Sequence, residues 1–128
     1  MNVVDSSGWI EYLAAGPNAD YFAEPLGNTE ELVVPSISIL EVYRYVLRER
    51  GREAALTAAA SMRQGKVIDL DAGLALEAAE LGVASQLPMA DSIIYATAQA
   101  HQATLWTQDA DFEELAGVRF IAKRRGAL

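Results

Sequence analysis

The sequence predicts an α/β fold: a three-layer sandwich in which a mainly parallel sheet of four or five strands is flanked by helices. Three observations carry this. Short runs rich in valine, isoleucine and leucine alternate with longer stretches of helical spacing along the chain. Turn residues punctuate them, at Gly16-Pro17-Asn18, Gly27-Asn28, Gly51 and Gly65. Hydrophobic residues make up 52% of the 128 positions, enough for one buried core, so residues 1–128 read as a single domain.

Asn2-Val3-Val4-Asp5 reads as a short buried strand that ends on an acid, and Ser6 to Leu13 as the helix that follows. Asp5 or Ser6 would serve as an ordinary cap for that helix. Ala19 to Leu26 is a short helix and Gly27-Asn28-Thr29 a polar loop. Leu32-Val33-Val34-Pro35 is the second strand, stopped by a proline that has no donor for further pairing. Ser36 to Arg50 is a helix in which Ile37, Leu40, Leu47 and either Val42 or Tyr43 are spaced to face a core. Glu41 sits one turn into it, in a Ser38-Ile39-Leu40-Glu41 pattern that also fits a capping box. Arg44 and Arg48 follow at helical spacing. They are candidates to hold a phosphate backbone, and ion pairing with Glu41 and Glu49 accounts for them equally well.

After Gly51, the alanine-rich Arg52 to Gln64 forms a second helix, antiparallel to the first. Lys66 to Leu70 is the third strand and Asp71 to Leu81 a helix closed by Gly82, with Asp69 and Asp71 as capping or solvated acids. From Leu87 to Ala100 runs an almost wholly apolar helix that should pack on several sides. Pro88 suits its first turn, where the missing amide hydrogen has no intrahelical partner. Asp91 is its one carboxylate. Complementing the helix dipole is the simple account of Asp91, but a charge at that depth needs amides, a cation or a metal as partner. His101, at the far end, suits the negative pole.

Ala103 to Trp106 is the fourth strand, and Thr107 to Phe112 ends it and opens a short helix through Leu115. Gly117 to Ile121 is a last strand, and Lys123-Arg124-Arg125 a basic, solvated tail. With no cysteine there is no disulfide, thiolate metal site or cysteine nucleophile. The amino terminus meets Asp5 before a signal core can develop, and no run is long enough to span a bilayer, which places the protein in the cytoplasm. A formal charge of -8 argues against a passive nucleic-acid binder, because affinity for phosphate comes mainly from lysine and arginine. An acidic nuclease escapes that objection if cations mask its centre.

In a parallel sheet the carboxyl ends of the strands share one edge, where ligands bind. Asp5 ends the first strand, Glu41 follows the second, Asp109 follows the fourth, and Asp91 opens the apolar helix. Four separate capping roles would put four acids at one edge by coincidence. Clustered carboxylates repel unless protons or cations intervene. Hard oxygen ligands suit Mg2+ or Mn2+ and argue against zinc. Such ions polarise a phosphoryl oxygen, lower the pKa of water and steady a leaving oxygen, so a phosphodiester is the natural substrate. Ser6 and Thr107 are placed to hydrogen-bond the acids.

The segments Val3-Val4-Asp5-Ser6-Ser7, Ser38-Ile39-Leu40-Glu41-Val42, Leu87 to Ile94 and Leu105 to Phe112 resemble, in order and spacing, those of the PIN-domain ribonucleases, in particular the VapC-type toxins of toxin–antitoxin pairs. The resemblance implies a compact α/β sandwich, an Mg2+- or Mn2+-dependent endoribonuclease and an inhibiting antitoxin partner. It implies Asp5, Glu41, Asp91 and Asp109 as the catalytic acids, with Asp5, Asp91 and Asp109 on the metal. Asp111 matches a position that is acidic in many relatives and is expected as an accessory, and Trp106 stands where many relatives carry a smaller aliphatic residue. Toxins of this kind are usually homodimers, and the helix pair from Ser36 to Gln64 is the expected surface for self-association and antitoxin docking. Two other readings compete. One is a receiver-like signalling module, with Mg2+ on Asp5, phosphoryl on Asp69, and Thr107 and Lys123 as sensors. The other is a catalytically silent copy of the nuclease fold that only binds a partner.

Overall fold

The first strand, β1 (Asn2–Val4), is followed by helices α1 (Ser6–Leu13) and α2 (Ala19–Gly27), in a computed structural model that describes residues 1–125. After one turn of 3-10 helix at Thr29–Glu31 come β2 (Val33–Pro35), α3 (Ser36–Arg50), α4 (Arg52–Met62) and β3 (Lys66–Ile68). The chain continues through α5 (Ala72–Ser85), α6 (Met89–Ala100), β4 (Thr104–Thr107), a second 3-10 turn at Ala110–Phe112, and β5 (Val118–Phe120).

Pairing is parallel throughout: β4 lies between β1 and β5, β2 pairs with β3, and a bridge between Asn2 and Leu32 joins the two groups. The resulting order is β3-β2-β1-β4-β5. Side chains of adjacent strand residues point to opposite faces, and this period of two builds the three layers. Val4, Val34 and Trp106 face one side and pack with Trp9, Phe22, Val42, Val46 and Met62 from the first four helices. Val3, Val33 and Leu105 face the other and pack with Ile94, Tyr95 and Ala98 of α6, and with Phe112. Each layer therefore follows from the alternation within three short strands.

Trp106 fits without disturbing β4. Its indole Nε1 donates to Asn2 Oδ1 at 2.8 Å and the Arg119 guanidinium lies 4.2 Å over the ring, so the large side chain is buried with its polar atom satisfied.

Two expectations need correcting. On α3, the buried residues are Ser38, Val42 and Val46, whereas Leu40 and Leu47 are 56% and 43% exposed. The i, i+4, i+8 ridge beginning at Ser38 meets the core, and Ile37 packs with the α6 side of the sheet instead. On α5, Gly82 does not end the helix. A Cβ at Gly82 would lie 2.9 Å from Ser92 Cβ, so the glycine serves the close approach of α5 to α6, and the helix runs on to Ser85 and closes on Gln86 at φ 56°. Asp71 caps α5 by accepting from the Leu74 amide at 2.9 Å. Among the described residues, no helix is long and apolar enough to cross a membrane.

Candidate acidic centre

Asp5 leaves β1 in an extended conformation and caps α1, so that one residue ends a strand, opens a helix and turns its carboxylate to the sheet edge. It is 2% exposed. Three donors hold it: the Gly8 amide at 2.9 Å, the Ser7 hydroxyl at 2.9 Å to both oxygens, and the Thr107 hydroxyl at 2.6 Å. Burial pushes its pKa from 3.8 to about 6, against the lowering effect of the Thr107, Gly8 and Ser7 hydrogen bonds, with Asp109 adding repulsion.

Glu41 reaches the same edge from α3. Its Oε1 accepts from Ser6 Oγ at 2.6 Å, and α3 begins at Ser36, directly after Pro35, with no side-chain cap, so the capping-box alternative is not formed. Asp91 enters from the first turn of α6, half-buried. Its pKa rises from 3.8 to about 7, first through burial and then through repulsion from Asp109, Asp5, Glu41 and Asp111. The Asp109 carboxylate caps the 3-10 turn by accepting from the Asp111 amide at 2.9 Å, while its own amide donates to Thr107 Oγ1 at 2.9 Å. Thr107 thus ties Asp5 to Asp109 through one hydroxyl.

The carboxylates of Asp91, Asp109 and Asp111 each offer an oxygen within 4.8 Å of the others. Among the described residues none of the five acids is in an ion pair. Three all-oxygen donors at this separation suit a small hard cation after slight closure, since metal–oxygen distances of about 2.0–2.6 Å put two ligands on one ion roughly 3–5 Å apart. Asp111, expected as an accessory, therefore joins the tightest group, while Asp5 stands beside it in its own cradle of donors. Ser6 and Thr107 both contact acids of the centre, as their positions suggest.

Arg44 is exposed on α3. Arg48 lies 3.6 Å from Glu49 and 5.8 Å over the Tyr45 ring, and neither arginine pairs with Glu41. The strand order overturns the phosphoacceptor reading. β2 lies between β1 and β3, so the exposed Asp69 is two strands from Asp5, and Lys123 is exposed in the tail.

Sequence reasoning missed Ser7, whose hydroxyl holds both oxygens of Asp5. A serine two residues after a capping aspartate was the available signal. It also missed Asn18 and Gln108, which are bonded to each other 90 positions apart and leave no local pattern.

A model of the PIN domain family matches residues 3–118 of the chain. Among solved structures, the fold is similar to a toxin–antitoxin complex from Klebsiella pneumoniae, at 22% identity and a TM-score of 0.78 over 93% of this chain and 96% of that one. It is also similar to VapC20 from Mycobacterium tuberculosis, a toxin that cleaves the sarcin–ricin loop, at 20% identity and a TM-score of 0.76 over 92% and 97% of the two chains. DNA-bound VapBC from Salmonella typhimurium gives 17% identity and a TM-score of 0.74 over 95% and 98%. No curated protein matches the sequence. The family match spans all four acid-bearing segments and the sheet from β1 to the start of β5, and the chain belongs to the PIN domain family.

Proposed function

We propose that this protein is a metal-dependent endoribonuclease, the cytoplasmic toxin of a toxin–antitoxin pair, which hydrolyses RNA phosphodiester bonds at a carboxylate-bound Mg2+ or Mn2+ centre. The observation that carries the reading is charge convergence without compensation: Asp91 feels four other carboxylates, and no lysine or arginine pairs with any of the five among the described residues. Such an arrangement is costly unless protons or a cation intervene, and a cation does so without giving up the charges.

Asp5, Asp91 and Asp109 hold the ion in this proposal, with Asp111 as a further oxygen donor. A bound Mg2+ or Mn2+ supplies Lewis acidity toward a phosphoryl oxygen and lowers the pKa of water. Ser7, Gly8 and Thr107 fix the Asp5 carboxylate in one orientation, so it need not reorganise. Ser6 holds Glu41 by Oε1, which leaves Oε2 to orient the attacking water and accept its proton. Arg44, exposed one turn beyond Glu41, is the stronger candidate to hold an RNA phosphate, because Arg48 is already paired with Glu49.

The antitoxin partner is supported by the structural neighbours, which include toxin–antitoxin complexes. A cavity of about 360 Å³ between α1, α3 and α4, lined by Ile10, Leu13, Tyr45, Val46 and Ala58, offers it an apolar groove. For a homodimer, the α3–α4 pair exposes Leu40, Leu47 and Leu56, while Leu76 and Val83 on α5 and Met89 on α6 are exposed as well. A light-scattering mass equal to one chain overturns the dimer.

The deciding experiment is cleavage of end-labelled RNA with Mg2+, with Mn2+ and with chelator, beside an Asp91→Asn control. Discrete products that require metal and vanish in the control are expected. Folded protein that cuts nothing under any of these conditions supports the binding-only reading instead.

A further inference from the structure

The exit of β4, which carries Thr107 and Asp109, is fastened to a part of the fold outside the acid centre. Asn18, in the turn between α1 and α2, is 1% exposed, and its side chain is engaged at both ends. Nδ2 donates to Gln108 Oε1 at 2.9 Å and to the Ala122 carbonyl at 3.0 Å, and Oδ1 accepts from Arg124 Nε at 2.7 Å. Arg124 also donates to the Pro17 carbonyl, and the Asn18 amide donates to Glu11 Oε2 at 2.7 Å. Gln108 is itself buried, between Thr107 and Asp109 in the chain, with Nε2 directed at the Ser7 carbonyl at 3.5 Å. The family match ends at residue 118, and Ala122 and Arg124 lie beyond it.

We propose that Asn18 is a positioning residue for the acid centre: it grips Gln108 and so fixes the peptide that carries Thr107 and Asp109, while the tail at Ala122 and Arg124 holds Asn18 in turn. The proposal rests on the metal-centre reading above. Its physical basis is repulsion. Asp109 lies close to Asp91 and Asp111, and a freed β4 exit would let it swing away from them, widening the site before any cation arrives. Ligating carboxylates hold metal well only when their supports are fixed, and losing a support of this kind typically costs about 10–100-fold in metal affinity. A tail that looks like solvated surface thereby becomes part of the scaffold of the site.

The test uses the full chain with Asn18→Ala and, because a buried change can disturb folding, the surface variant Arg124→Met. Mn2+ binding is measured by calorimetry and amide hydrogen exchange is followed by residue. In Asn18→Ala, Mn2+ affinity falls about 10–100-fold and exchange quickens across residues 107–111, with protection elsewhere retained. Arg124→Met moves both quantities the same way by less. RNA turnover falls through kcat with KM unchanged, which general loosening would not produce. Mn2+ affinity within about twofold of wild type in both folded variants overturns the role of Asn18 and leaves the metal centre standing. Wild-type protein that binds no Mn2+ overturns both.

Discussion

Asp5 and Asp91 are both carboxylates raised well above their usual range, yet the molecule holds them in opposite ways. Asp5, at the junction of β1 and β4, is raised mainly by burial, and three donors from Ser7, Gly8 and Thr107 pull it back toward the charged form. Asp91, on α6, is half-buried and surrounded by acids, and no donor offsets their repulsion. One side of the centre is a finished hydrogen-bonded scaffold. The other is a charge deficit that a cation would complete. The contrast separates groups that keep the fold in register from groups whose arrangement is favourable only once a ligand is bound.

The largest effect should come from the deficient side. Asp91→Asn is expected to lower RNA cleavage at least about a thousandfold, some 4 kcal/mol of transition-state stabilisation, while leaving the metal-free protein as stable as wild type or more so at pH 8. Loss of activity together with unfolding would put Asp91 among the structural groups and break the contrast.

The scaffolded side should respond through stability. Thr107→Val removes the hydroxyl that donates to Asp5 and accepts from the Asp109 amide, and is expected to cost about 1–3 kcal/mol in urea unfolding at pH 8. The cost should shrink at pH 5, where Asp5, with a pKa of about 6, is mostly protonated and needs the donor less.

Comparable in size is the pH dependence of the metal-free protein. Both folded-state pKa values lie above 3.8, so the unfolded chain releases these protons first and binds fewer than the folded chain between about pH 4 and 7. Stability should therefore fall as pH rises through that window and level off above it. Asp5 is fully buried and supplies most of the drop; with solvent screening of the half-exposed Asp91 allowed for, it is about 3 kcal/mol, or roughly 9–12 °C in thermal midpoint. Mn2+ should reverse it at pH 8 and have little effect at pH 5, because the ligand carboxylates must first lose their protons. A midpoint that rises steadily from pH 5 to 8 without metal would contradict this.

The smallest change is expected from Ser6→Ala. Glu41 is half-buried, so loss of the 2.6 Å hydroxyl bond should cost about 0.5–1.5 kcal/mol in stability and about tenfold in kcat, with Mn2+ affinity nearly unchanged. A large loss of Mn2+ affinity in this variant would place Glu41 among the ligands.

Much of this was legible in the chain. The β–α alternation, the strand ends at Asp5 and Asp109, and the span of α3 from Ser36 to Arg50 all follow from local pattern, and the structure agrees with them to within a residue or two. The face that α3 buries was not legible. Leu40 and Leu47 have the hydropathy of core residues, but the Ser38, Val42 and Val46 ridge is the one that fits against the sheet side occupied by Trp9 and Phe22. Gly82 reads locally as a helix stop, and only the nearness of Ser92 reveals that its missing side chain matters for packing.

By itself the sequence determined which residues carry charge, which are apolar, and the periods of two and 3.6 that sort them onto strands and helices; these are covalent and short-range properties. Parallel order then carried the acids to one edge, because every strand of such a sheet ends on the same side. Tertiary structure decided what those acids experience. The pKa of Asp91 near 7, the entry of Asp111 into the tight group, and the link from Arg124 through Asn18 and Gln108 depend on groups far apart in the chain. Coulomb repulsion and hydrogen bonding act over distances in space, and only folding sets those distances.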